Sequence, residues 1–178
     1  MKAMCTFKQI NPIYCCLIAV LLLQISCKTY PPTDLTKENI IPKPVLVEAN
    51  GETFSLTKNV CIYTQGSSEK VSEIAGYLAT LIRPSTGFGV EVKAAKGTLP
   101  KGSILLSLSD VGASPGDEGY VLEITKKLVK ITANNPAGLF RGIQTFRQLL
   151  PAEIEMNTKQ DMEWLVAGGV ITDYPVYA

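Results

Sequence analysis

The sequence predicts an α/β fold: a two-layer sandwich in which a mixed or antiparallel sheet carries two helices on one face. Three observations lead there. Residues 69–82 and 136–150 each repeat apolar side chains at spacings of three and four, the period of a helix with one buried face. Residues 120–133 alternate apolar and polar side chains on either side of Lys126-Lys127, the pattern of an antiparallel hairpin with one buried face. The apolar runs at 60–63 and 104–108 have strand length and are too short for a helix. Two helices laid on such a sheet make two layers.

In chain order, residues 1–26 stand apart from this fold. Lys2 and Lys8 give a positive start, and no charge follows from Gln9 to Cys27. The apolar part, 13–23, is short for a membrane span and suits the hydrophobic region of a secretory signal. It is followed by Leu23-Gln24-Ile25-Ser26-Cys27, which resembles a bacterial lipoprotein cleavage site with Cys27 as the lipidated residue. Gln24 stands where such sites usually have an aliphatic side chain, so ordinary secretion and a retained anchor remain alternatives. Residues 27–39, rich in Thr, Pro, Lys and acids, read as a tether.

The domain itself is expected over 40–151. Ile40-Ile41-Pro42-Lys43-Pro44 is held extended by its prolines. Asn50-Gly51 signals a turn, with 53–56 and 60–63 as strands after it. Gly66-Ser67-Ser68 ends the second strand and offers a cap to a helix carrying Val71, Ile74, Ala75, Leu78 and Ile82 on one face, which Pro84 should terminate. Val90 and Val92 alternate with charges, 104–108 is a buried strand, and the hairpin follows. Asn135 is an expected N-cap, with its side chain accepting from the helix start, and Pro136 takes the first helical position. The last helix offers Leu139, Phe140, Ile143, Phe146 and Leu150 for burial, each contributing about 1.5–3 kcal/mol. Pro151 stops it. Residues 152–178 read as a linker and a strand, 164–171, leading out of the domain or forming its C-terminal edge, with Trp164 at a domain junction.

Composition excludes several function classes. With 17 basic and 16 acidic residues the net charge is +1, which argues against a nucleic-acid surface. There is no histidine, so triads built on it and histidine-ligated zinc are ruled out. Cys5, Cys15 and Cys16 would leave with the signal and Cys27 would carry lipid. Cys61, in an apolar strand, is then a lone thiol expected to pack as a small hydrophobe, and no disulfide framework is possible. No metal or cofactor is expected.

Five stretches, in order, resemble the N-terminal domain of family-20 glycoside hydrolases, the bacterial β-N-acetylhexosaminidases. They are Ile40-Ile41-Pro42-Lys43-Pro44; residues 77–87 with Leu81-Ile82-Arg83-Pro84-Ser85-Thr86-Gly87; Asp117-Glu118-Gly119-Tyr120; the 135–151 helix; and Trp164 through Ile171-Thr172-Asp173-Tyr174-Pro175. The resemblance implies a small α/β domain preceding a (β/α)8 catalytic barrel. It implies release of terminal β-linked N-acetylglucosamine or N-acetylgalactosamine by a substrate-assisted retaining mechanism. The sugar's acetamido oxygen attacks the anomeric carbon, a glutamic acid protonates the leaving oxygen, and the adjacent aspartate steadies the acetamido group. That Asp-Glu pair belongs to the barrel. Asp117-Glu118 imitates it in letters but sits in a Ser/Pro/Gly-rich loop, and is expected to be solvated.

No catalytic, substrate-binding or metal residue is therefore assigned in this chain, which is expected to end before the barrel and to be inactive alone. Its expected partners are that barrel, glycan through it, and a bacterial membrane through Cys27, in the periplasm or at the cell surface. Two alternatives stay open: a stand-alone lipoprotein module binding glycan or protein, and the N-terminal domain of a related hexosaminidase-like or glucuronidase-like barrel.

Overall fold

The computed structural model describes residues 30–109 and 116–175. The expected signal peptide, the lipidation site Cys27 and Val176-Tyr177-Ala178 lie outside the described residues.

The elements run β1 (Leu46–Leu56), β2 (Cys61–Gln65), α1 (Glu69–Thr86), β3 (Glu91–Ala94), β4 (Ser103–Leu108), β5 (Tyr120–Ile124), β6 (Leu128–Ala133), α2 (Pro136–Leu149) and β7 (Trp164–Asp173). All the strands join one mixed sheet in the order β1-β7-β5-β6-β4-β2-β3. One half is antiparallel (β1, β7, β5, β6) and the other parallel (β6, β4, β2, β3). The division follows the patterning. The hairpin pairs Tyr120 with Ala133, Leu122 with Ile131 and Ile124 with Val129, all six buried. Strand β4, flanked on both sides by parallel neighbours, carries the near-continuous apolar run such strands need.

Both helices cover one face, as expected. Helix α1 buries Val71, Ile74, Ala75, Leu78, Ala79 and Ile82; α2 buries Leu139, Ile143, Phe146 and Leu149. Two glycines bring α2 close to the sheet. A Cβ on Gly138 would stand 2.2 Å from the Gly119 carbonyl oxygen, and one on Gly142 2.4 Å from Ile131 Cγ2.

Several local expectations are corrected. Helix α1 runs through Pro84 and ends at Gly87, whose φ of +69° makes a left-handed cap with its N–H on the Arg83 carbonyl. The proline is tolerated because it sits on the exposed side, where water reaches the Thr80 carbonyl that it leaves unbonded. Asn135 does precede α2, yet its side chain makes no cap hydrogen bond; its Nδ2 donates instead to Asp117 Oδ1 at 2.8 Å. Asn50-Gly51 is no hairpin turn but an irregularity inside β1, where pairing with β7 shifts between Ala49 and Thr53. Asn50 fixes it, donating to the Ile124 carbonyl and accepting from the Glu52 N–H, both at 2.9 Å.

The domain boundaries shift at both ends. Strand β7 is not an edge: it lies inside the sheet between β1 and β5, and Trp164 is buried opposite Leu56 in this core. The supposed tether contributes too. Leu35, in the 3-10 turn Leu35–Lys37, is fully buried, and Thr33 Oγ1 donates to the Glu52 carbonyl at 2.6 Å. Cys61 is half-buried rather than buried, because it points to the sheet face without helices.

Candidate functional site: the outer helical face

With their inner stripes consumed by the sheet, α1 and α2 still present large apolar side chains outward. Tyr77 is 39% exposed and Phe140 44%. Their ring centroids are 5.5 Å apart with planes tilted 42°, so the two helices are bridged by an aromatic pair on the solvent side. Phe140 was expected in the core; it falls one residue off the stripe set by Leu139 and Ile143, and that rotation turns it out.

Phe140 divides this surface into two grooves. One, of about 440 Å³, lies between the helices and is lined by Ile74, Tyr77, Pro136, Ala137 and Phe140, with Lys70 and Glu73 at its rim. Those two charges pair with each other at 2.7 Å. The other, of about 420 Å³, runs between α2 and the N-terminal arm past Ile41, Pro42, Gln144, Gln148 and Asp173. Ile41 is 79% exposed, although Gln148 clamps its backbone from both sides, accepting from its N–H at 3.0 Å and donating to its carbonyl at 3.1 Å. A larger groove of about 840 Å³ is lined by residues 35–47 only, one local stretch turning into β1.

Polar groups beneath the second groove are mostly satisfied. The Tyr120 and Thr145 hydroxyls lie 2.5 Å apart. Burial pushes the Tyr120 hydroxyl up to about 12, with the Thr145 hydrogen bond pulling down and the Asp173 carboxylate adding to the rise. Asp173 accepts from the Val45 N–H at 3.2 Å. Gln144 is the exception: its Oε1 accepts from Arg147 at 3.4 Å, while its buried Nε2 finds no acceptor among the described residues.

Asp117 and Glu118 lie in the turn before β5. Asp117 holds Asn135 and Glu118 pairs with Arg141, so both fasten this turn to the start of α2. Among the described residues no third carboxylate converges on them, and no group of His, Cys, Asp or Glu is placed to hold a metal ion. The arrangement suits contact with another surface: an aromatic ridge, an apolar groove on one side, a groove of mixed polar and apolar lining on the other, and one donor still to be satisfied. Tyr77 and Gln144 went unassigned in the sequence. Their signal was there, since each occupies the polar side of its own helix.

The glycosyl hydrolase family 20, domain 2, matches residues 37–174. The chain is 29% identical over 164 residues to a Beta-hexosaminidase of Porphyromonas gingivalis, covering 92% of this chain and 21% of the relative. It is 31% identical over 140 residues to a Beta-N-acetylhexosaminidase of Cellulomonas fimi, covering 78% of this chain and 26% of the relative. Among solved structures, the GH20 β-N-acetylhexosaminidase of Streptomyces coelicolor A3(2) superposes with a TM-score of 0.74 at 41% identity, over 84% of this chain and 28% of that one. The chain thus spans about a quarter of the length of the proteins it matches.

Proposed function

The chain belongs to glycosyl hydrolase family 20, and we propose that it forms the leading, non-catalytic wing of an exported β-N-acetylhexosaminidase. The observation carrying this reading is that the match covers nearly all of the folded part here but only 28% of the Streptomyces coelicolor enzyme. The reaction of the complete enzyme would be release of terminal β-linked N-acetylglucosamine or N-acetylgalactosamine, with the substrate's acetamido group as nucleophile. Its acid and its aspartate would come from the catalytic barrel. In this stretch Asp117 and Glu118 are occupied by Asn135 and Arg141, which supports a structural role for them.

The positive start, the apolar 13–23 run and Ser26-Cys27 support export and a lipid anchor at Cys27, placing the protein on a bacterial membrane facing the periplasm or the outside. The purified 178-residue product should leave a chromogenic β-N-acetylglucosaminide uncleaved; turnover above a buffer blank would overturn the non-catalytic assignment. Mass spectrometry of the membrane fraction should find a mature N-terminus at Cys27 carrying acyl chains, and an unmodified or uncleaved N-terminus there would remove the anchor.

A further inference from the structure

We propose that the rim carrying Lys101, Lys126 and Lys127 is a lipid-headgroup contact, held against anionic phospholipid by the anchor at Cys27. This rests on the anchored reading above.

The folded body begins much closer to Cys27 than a tether would allow. The Pro31 carbonyl accepts from Thr53 Oγ1 at 2.8 Å. Thr33 is fixed between the Glu52 carbonyl, 2.6 Å away, and the Gly168 N–H at 3.4 Å. The chain from Cys27 to Pro31 spans about 14 Å at full extension. Part of that length is used in crossing the headgroups, since acyl chains lie in the hydrocarbon. The surroundings of Pro31 are thus kept within about a Debye length, about 8–10 Å at physiological salt, of the bilayer surface.

Those surroundings are basic. Glu52 accepts from the Lys126 N–H at 2.9 Å and pairs with the Lys126 ammonium at 3.6 Å, so the β5–β6 turn abuts the place where the chain enters. The Lys127 carbonyl accepts from the Gly102 N–H at 2.7 Å, which brings the turn before β4 to the same rim. Lys101, Lys126 and Lys127 are all exposed. Glu52 is committed to Lys126, while Lys101 and Lys127 have no ion pair among the described residues. Cations held this near to anionic lipid are drawn onto it, each favouring contact by several-fold. Other lysines are placed differently. Lys37 pairs with Asp34 at 3.3 Å, Lys43 precedes the far end of β1, and Lys70 begins α1 at the opposite end of the sheet.

The test uses the 178-residue chain, expressed in a bacterium with its own leader and purified from the membrane fraction in neutral detergent. Its intact mass reports the acyl chains. Lysine acetylation by a water-soluble amine reagent is followed by peptide mass spectrometry, in detergent and after addition to preformed vesicles. One vesicle set mixes phosphatidylglycerol with phosphatidylcholine, and the other is phosphatidylcholine alone. In the anionic vesicles, labelling of Lys101, Lys126 and Lys127 should fall about threefold or more, and the protection should be lost in about 1 M salt. Lys43 and Lys70 should be labelled as in detergent. Lys101→Glu together with Lys127→Glu should return Lys126 to its detergent level.

Protection in neutral vesicles equal to that in anionic ones, or unmoved by the double variant, overturns the headgroup contact. So does protection at Lys43 or Lys70 instead, or at no lysine, and the anchor then still stands on the intact mass. A product without acyl mass overturns both the contact and the anchor.

Discussion

Tyr120 in β5 and Thr145 in α2 share a hydrogen bond of 2.5 Å between their hydroxyls, tying the sheet to the helix from within the buried layer. Burial favours the neutral phenol, and the Thr145 hydrogen bond offsets part of that effect. The folded state holds the Tyr120 hydroxyl at about 12 against an ordinary value of 10.0, so folding favours the protonated form. Its contribution is complete below about pH 10 and is lost as the pH climbs from there towards 12. Urea denaturation should therefore show the unfolding free energy dropping over this window by about 2 kcal/mol on account of this group. Tyr120→Phe should cost about 1 kcal/mol at neutral pH and make the alkaline drop shallower.

The helical glycines should respond in opposite directions. Gly76 in α1 has nothing within 4 Å of the position a Cβ would take, so Gly76→Ala should stabilise by about 0.5–1 kcal/mol through helix propensity alone. Gly138→Ala puts a methyl group 2.2 Å from the Gly119 carbonyl oxygen, and Gly142→Ala 2.4 Å from Ile131. Both should destabilise by about 1–3 kcal/mol, the backbone clash at Gly138 more than the side-chain clash at Gly142. Thermal melts of the three variants give the order.

Ile143 sits at the centre of the α2 stripe, 1% exposed. Ile143→Asp would bury a carboxylate with no partner and should abolish cooperative unfolding at room temperature. An intact near-ultraviolet circular dichroism spectrum for this variant would contradict the packing described here.

The Arg147–Glu155 pair closes the turn after α2. Hydrogen bonding to Arg147 holds the Glu155 carboxyl below its ordinary value of 4.5, so what the pair contributes is present above that pH and fades as the pH falls below it. Both side chains reach solvent, and Glu155→Gln should cost less than about 1 kcal/mol at pH 7. That variant should also lose a small part of the acid sensitivity of the parent in denaturant titrations from pH 7 to pH 3.

Local letters carried the elements. The 3.6-residue stripes of α1 and α2, the alternation of the 120–133 hairpin, the cap at Ser68 and the stop at Pro151 are short-range signals. They act through propensity and patterning within a few residues, so they can be read without knowing the fold. What depended on distant neighbours could not be read this way. Pro84 does not break α1, because the carbonyl it orphans faces water. Asn50-Gly51 bends β1 without reversing it, because Gly168 and Gly169 across the pair leave room for the irregularity. Leu35, in a stretch with tether composition, is held by a core assembled from residues far along the chain, and β7 is claimed by β1 and β5 through pairings more than 40 residues away. The ridge of Tyr77 and Phe140 belongs to the same class: each helix alone places one aromatic off its stripe, and only the packing of both helices on one sheet face brings the two rings together in solvent.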